Sequence, residues 1–339
     1  MLMMICGAGA SYDSLPDFKA LGGATPPRPD YRPPRGQEIF QRRGPFEPWV
    51  ARYRQCSPLF PRLRRPDINI EQELEKIRSE ALYDPQRAVQ LNAIRYYLKR
   101  VIWECSENWP KLTSGVTNYA YLLDRIRNWQ ARHPVRLALV TFNYDCLLED
   151  GCGRALGISF PSCAAYVEHD QYKVFKLHGS VSWVRFVETS VGLAGKAPDL
   201  ALIDLGPHLR LSSEYRQAGV GDDMVDGRPV FPAIAIPVET KSDFECPLEH
   251  LEVLKGILPS VKKVVIIGWR ATEAHFLALW SERISAGLEV QIVAGSKENA
   301  RSTQSNLEQA GIRARFDLSE YPFSQYLETD ELERFLGVR

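Results

Sequence analysis

Several stretches of this chain are apolar without interruption and stop abruptly at a turn. Met1 to Cys6 (MLMMIC) runs straight into Gly7-Ala8-Gly9-Ala10-Ser11, and Arg136 to Val140 (RLALV) runs into Thr141-Phe142-Asn143-Tyr144-Asp145. An unbroken apolar run of this length is what a strand covered on both faces requires. The last third repeats the design in alternation. It reads as helix Leu248 to Leu258, strand Lys262 to Ile267, helix Ala274 to Ser285, strand Glu289 to Val293, helix Lys297 to Gln309, strand Arg313 to Phe316, and a last helix near Asp330 to Phe335. Strands and helices alternating at these lengths mean parallel βαβ units. The expected fold class is α/β: a Rossmann-like doubly wound parallel sheet.

The first two strands are separated by far more chain than a crossover needs. From Ser11 to Gly36 the sequence carries Pro16, Pro26, Pro27, Pro29, Pro33 and Pro34, so no regular element fits, and its place after a glycine turn suggests a lid over a ligand. From Gln37 to Arg132 the pattern turns helical. Asn69 with Gln72 has the form of a capping box before Ile70, Leu74 and Ile77, and Asp84-Pro85 opens a longer helix with Val89, Ala93, Tyr96, Tyr97, Val101 and Cys105 on it. Tyr119 to Trp129 supplies another, and aromatic residues at such spacing are ordinarily core or subunit interface. The expected organisation is a nucleotide-binding catalytic domain of residues 1–36 and 133–339, with a helical insertion subdomain at 37–132. Tyr172 to Leu177 and Val181 to Val187 are expected strands around His178-Gly179. Glu188 to Arg228 has weak periodicity and is expected to be a loop-rich flap. Pro229 to Val238, with its three prolines, is expected to be at best an edge or irregular strand.

Composition narrows the function classes. The 339 residues are 45% apolar, enough for one large core or a core with an inserted subdomain. Forty-two basic and 42 acidic residues cancel, so no overall field draws the chain to nucleic acid or membrane. The seven cysteines (Cys6, Cys56, Cys105, Cys146, Cys152, Cys163 and Cys246) contain no CxxC pair, which argues against a zinc module, and their scatter suits a reducing compartment. MLMMIC is too short for a signal peptide and no run approaches a membrane span. The expected location is the cytoplasm, with no metal.

In an open α/β sheet, ligands bind outside the carboxyl ends of the strands. Three turns should therefore face one crevice: Gly7 to Ser11, Thr141 to Asp145, and the end of Phe175-Lys-Leu-His-Gly-Ser180. Glycines let a backbone approach a phosphate, and amides opening a helix point at it, so Gly7, Ala8, Gly9, Ala10 and Ser11 are candidates for a pyrophosphate. Histidine as a residue type can exchange a proton near neutral pH, which makes His178 the candidate base, although a lone histidine is more often structural. Asn143 can hold a hydroxyl or a water through its amide. Asp145 can orient a neighbour, or equally cap the helix that follows.

These segments, with Leu15-Pro16-Asp17-Phe18 and the later Val264 to Trp269 (VVIIGW), resemble the sirtuin-like (silent information regulator) family, and specifically its bacterial branch of NAD-cleaving anti-phage proteins. The resemblance implies NAD as substrate, with His178, Asn143 and Asp145 catalytic. It places Asp17 and Phe18 beside the nicotinamide, although a turn aspartate that caps locally would look the same. Gly268 and Trp269 match a second nucleotide-contacting turn, and Gly295 and Ser296 stand where the adenosine half would bind. His275 is expected in a packing or adenosine-side role. Deacylating sirtuins carry a four-cysteine zinc site and a glutamine where this chain has Phe142, so acyl-lysine chemistry is not the first expectation. The implied activity is an NAD glycohydrolase releasing ADP-ribose and nicotinamide, acting in antiviral defence by NAD depletion. A homo-oligomer and a separate ATPase or sensor protein are the expected partners. An NAD-dependent deacylase or ADP-ribosyltransferase, and a non-catalytic NAD or ADP-ribose sensor, remain as alternatives.

Overall fold

The computed structural model describes residues 1–16, 29–190, 195–238, 244–283 and 286–337. Asp17 and Phe18, and with them residues 19–28 of the proline-rich segment, lie outside the described residues. Strands β1 (Leu2–Cys6), β2 (Leu137–Thr141), β3 (Tyr172–Lys176), β8 (Lys263–Ile267), β9 (Glu289–Val293) and β10 (Arg315–Ser319) form one sheet in the order β10-β9-β8-β1-β2-β3. Every pairing in it is parallel. The chain winds outward from β1 through β2 to β3, then returns to the other side of β1 for β8 to β10. This is the doubly wound α/β sheet that the apolar runs require. All five positions of β1 and of β2 are buried, and each Leu, Met, Ile or Val side chain among them contributes about 1.5–3 kcal/mol relative to exposure.

Residues 37–132 divide their packing between two cores. The helix Pro85–Asn108 starts where Asp84 accepts the Gln86 N–H at 2.9 Å, with proline at its first position. Its buried face, Ile94, Tyr97, Leu98 and Val101, packs with Phe40, Phe60, Leu74 and Ile77. Helix Ile70–Glu80 begins at Asn69, whose side chain accepts from Glu71 N and Gln72 N. The next helix, Asn118–Gln130, instead turns Tyr119, Leu122, Leu123 and Ile126 into the core of the main sheet. It crosses the helix Leu147–Leu156 at Gly151, where a Cβ would come within 2.9 Å of the Tyr119 Cβ.

The remaining strands, β4 (Gly179–Val187), β5 (Leu211–Gln217), β6 (Met224–Val225) and β7 (Arg228–Ile234), form a second sheet in the order β5-β4-β7-β6. Two sequence expectations are corrected here. The stretch Glu188 to Arg228 is not loop alone: it contains the helix Pro198–Asp204 and the strand β5, whose residues are all partly or fully exposed, so no apolar periodicity marks it. The proline-bearing β7 is not an edge strand but lies between β4 and β6. Pro232 is tolerated because β6 reaches only Arg228 and Pro229, and because the β4 register shifts between Gly179 and Val184 beside it. Val181, Phe231 and Ile234 of this sheet complete the core built by residues 39–105.

Gly179 is the point where the two sheets meet. It adopts φ +84°, and a Cβ there would collide with the Ala233 carbonyl across the β4–β7 pairing. Gly157 shares the left-handed backbone, at φ +69°, but has nothing within 4 Å of its added Cβ. Gly157→Ala should therefore cost only the backbone term, about 1–2 kcal/mol, and Gly179→Ala distinctly more, because the carbonyl must also move. Urea unfolding of both variants measures the difference; equal midpoints would refute the contact.

Candidate active site

The register fixes which turns share the carboxyl edge. Cys6 is level with Thr141 and with Ile267, Thr141 with Lys176, and Ile267 with Val293. The winding reverses between β1 and β8, so the turns after these two strands flank the crevice. They touch directly. Gly7 N–H donates to Ile267 O at 3.0 Å and Gly9 N–H to Gly268 O at 3.0 Å. A Cβ on Gly7 would lie 2.5 Å from Gly268 O, and one on Gly9 2.8 Å from Gly268 Cα. Gly268 itself takes φ +60°. Much of the glycine pattern is thus demanded by the meeting of two backbones. The amides of Gly7, Gly9 and Ala10 are all bonded within the protein, the last to Gly7 O at 2.9 Å, and Ala8 is the exposed residue of the turn.

Asn143 is held from several directions. Thr141 Oγ1 donates to Cys6 O at 3.1 Å and accepts the Asn143 N–H at 3.0 Å, which sets the turn. The Asn143 side-chain NH₂ donates to Gly7 O at 2.8 Å and to Ser11 Oγ at 2.9 Å. Gly7 O can only accept, so the orientation of the amide is determined. With both strong donor directions spent, Asn143 offers a ligand its Oδ1, an acceptor.

His178 follows β3 as Asn143 follows β2, two residues beyond paired positions. It is 2% exposed, with its ring 5.0 Å from Phe142 and 6.2 Å from His275. Phe142 stacks on Trp269 at 5.1 Å and 14°, and Phe276 meets Phe142 edge-on at 5.4 Å. Phe142 and Trp269, from opposite sides of β1, thus close an apolar wall beside the histidine. His275, on the helix Ala274–Ser281, stands next to His178 and meets the Phe244 ring at a tilt of 54°, with centroids 4.2 Å apart. Asp145 Oδ1 accepts the Leu147 N–H at 3.1 Å, the first amide of the helix Leu147–Leu156, although the N-cap position is held by Cys146 and not by Asp145. Gly295, at φ +70°, is exposed two strands away from β1, and Ser296 Oγ caps the helix Lys297–Gln309 by accepting Asn299 N–H at 3.2 Å.

Beneath these turns lies a charge pair that sequence reasoning missed. Lys176 is wholly buried, its ammonium 2.8 Å from Glu149 Oε1 and bonded to the Asp145 carbonyl. Burial works against its charge, yet Glu149, helped by Cys146 and Asp145, holds the ammonium above its ordinary pKa. Tyr166 OH donates to the same Glu149 oxygen at 3.1 Å. The available signal was a lysine at a buried strand position, directly before Leu177-His178. Tyr119, 108 residues from Ser11 and 3.0 Å from its hydroxyl, lies on a helix whose aromatic residues were expected only as core or subunit interface. Among the described residues, no group of three or more His, Cys, Asp or Glu side chains could hold a metal ion.

Removing one partner of a buried pair leaves the other uncompensated, so Lys176→Met should cost about 3–5 kcal/mol. Lys176→Met with Glu149→Leu should recover much of that. Denaturant titration of the single and double variants decides; a double variant no better than the single one would contradict the account.

No family model matches the chain, and no curated protein matches it. Among solved structures, it is similar to a Sir2 homologue in complex with NAD, with 13% identity over 98% of this chain and 88% of that one, at a TM-score of 0.37. It is also similar to a protein described in a study of sirtuin substrate affinity, with 13% identity over 98% and 93%, TM-score 0.40. A third is a Sir2–p53 peptide–NAD+ complex, with 14% identity over 99% and 94%, TM-score 0.40.

Proposed function

We propose that this chain is an NAD glycohydrolase that converts NAD and water to ADP-ribose and nicotinamide. The observation that carries the reading is the pairing of Asn143 and His178 on adjacent strand ends, one with a fixed acceptor and the other a buried imidazole, beside the wall of Phe142 and Trp269. The chemistry asks for little else. Nicotinamide leaves neutral from a pyridinium, so the bond from ribose to nitrogen breaks without strong acid assistance. The resulting oxocarbenium-like ribose is captured by the oxygen of water, whose proton passes to a base. His178 is the base in this reading, Asn143 Oδ1 accepts a ribose hydroxyl or water proton, and the aromatic wall limits stray water. The exposed turn at Ala8 and the turn after β8 would take the pyrophosphate side, with Gly295-Ser296 toward the adenosine. Asp145 supports the turn by accepting the first amide of the helix that follows it.

The reading extends to organisation and setting. Residues 37–132 are inserted into the catalytic domain, with their helix Asn118–Gln130 packed into its core, and in this reading they supply the surface for homo-oligomer contacts. The protein works in the cytoplasm, where uncontrolled NAD loss is lethal, so an ATPase or sensor partner gates it in anti-phage defence. Among the described residues, no helix is long and apolar enough to cross a membrane.

Nicotinamide release from NAD by the purified chain, with and without an acyl-lysine peptide, tests the proposal. Release without peptide is expected, falling about 10²-fold or more in His178→Ala and in Asn143→Ala. Release only with peptide would replace hydrolysis by deacylation. NAD binding without turnover, unaffected by His178→Ala, would make the chain a sensor.

A further inference from the structure

The helix Asn118–Gln130 presents its first two residues to the turn that follows β1. Tyr119 is fully buried, its ring edge-on to Phe323 at 5.8 Å and seated on Gly151. Its hydroxyl lies 3.0 Å from Ser11 Oγ and 3.4 Å from Asn143 Nδ2. An amide NH₂ only donates, so of these two neighbours Ser11 Oγ alone can receive the phenolic proton. Ser11 Oγ also accepts from Asn143 at 2.9 Å, while the other amide proton goes to Gly7 O at 2.8 Å. Whichever hydroxyl donates in the Tyr119–Ser11 pair, the bond holds the Ser11 oxygen in place, and the Asn143 amide protons go to Ser11 and Gly7. Burial raises the Tyr119 pKa well above its ordinary value, so the phenol keeps its proton. Asn118 secures the other end of the same turn. Its backbone N–H donates to Ser14 O at 2.7 Å, and its side chain donates to Asp13 O at 2.7 Å and Leu15 O at 3.0 Å.

We propose that Tyr119 is a positioning residue for Asn143: its hydroxyl locks Ser11 as the acceptor of the Asn143 amide, and so keeps Asn143 Oδ1 turned toward the substrate. Without the phenol, the Ser11 hydroxyl is free to rotate and the Asn143 amide loses its second anchor. The inference rests on the glycohydrolase reading only for the reaction it serves; the orientation itself is a property of the free chain.

Tyr119→Phe retains the ring and removes the hydroxyl. Nicotinamide release should show kcat lowered about tenfold with KM within about twofold, a split that general loosening of the turn would not give. Ser11→Ala should lower kcat comparably, and the double variant should be no worse than the poorer single one, because both cut one chain of bonds. Should Tyr119→Phe fail to fold, as thermal melting would reveal, Ser11→Ala carries the test alone, and wild-type kcat in it overturns the proposal. If the wild-type protein releases no nicotinamide, the glycohydrolase reading fails, and hydrogen exchange of the full chain decides the orientation separately. Amides of residues 9–13 should then exchange about tenfold faster in Tyr119→Phe at an unchanged melting temperature. Additive kinetic losses, or identical exchange in the two proteins, would overturn the positioning role.

Discussion

The site depends first on the meeting of two backbones at the carboxyl edge of the sheet, where Gly7 and Gly9 lie against Gly268 and Trp269. Strands β1 and β8 are neighbours, and the turns that leave them must pass within van der Waals distance of each other. Side chains are excluded from that contact, and the protein answers with glycine on both sides. Because the two turns are bonded through Gly7 N–H and Gly9 N–H, the crevice has a rigid floor before any ligand arrives. Trp269 is then delivered onto Phe142, and Gly7 O becomes the acceptor that orients Asn143. A glycine pattern that reads as phosphate binding is thus first of all a condition for building the site.

What was legible in the sequence follows from where the information lies. A parallel strand announces itself through its own residues, so β1, β2 and β8 could be read from apolar runs and β9 from its place in the alternation of strands and helices, while the turns after β2 and β3 carried Asn143 and His178. The caps at Asn69 and Asp84 were local and equally readable. Tyr119 could not be recognised because its significance belongs to Ser11 and Asn143, brought to it by helix crossing at Gly151. Lys176 and Glu149 are 27 residues apart, and nothing in either neighbourhood says that they pair. The second sheet was obscured for another reason. β5 buries no face completely, and the prolines of β7 conflict with the usual sign of a paired strand.

The same distinction separates the charges that hold the molecule from those that merely decorate it. Asp199 is wholly buried, and Arg52 grips it through two bonds of 2.8 Å while Tyr53 OH donates to it at 3.2 Å. Arg100 continues the chain to Tyr53 and to Asp223. Burial first, then the neighbouring Asp199, raise the Asp223 pKa above the usual carboxylate value. These residues come from the insertion, from the helix Pro198–Asp204 and from the turn before β6, so the network ties the segment that looked like a free flap to the helical core. Fully hydrogen-bonded buried charges are costly to disturb one at a time, which gives this attachment a defined geometry.

Asn143 shows how such attachments reach the chemistry. An asparagine side chain can present either a donor or an acceptor, and rotation about its last torsion exchanges them. Here one proton is claimed by a backbone carbonyl and the other by a serine whose own environment is set by Tyr119. The choice between donor and acceptor is therefore made by the turn, the crossing helix and the adjacent strand, not by Asn143 itself. His178 is placed by the same economy of means: Gly179 lets β4 approach β7, and the His178 carbonyl is taken by Ala235 N–H at 3.0 Å, leaving the imidazole against Phe142. A site assembled this way depends on packing distant in sequence more than on the identity of its two central side chains. Conservative changes at Gly7, Gly268, Tyr119 or Gly179 would disturb it as surely as changes at the residues that a substrate touches.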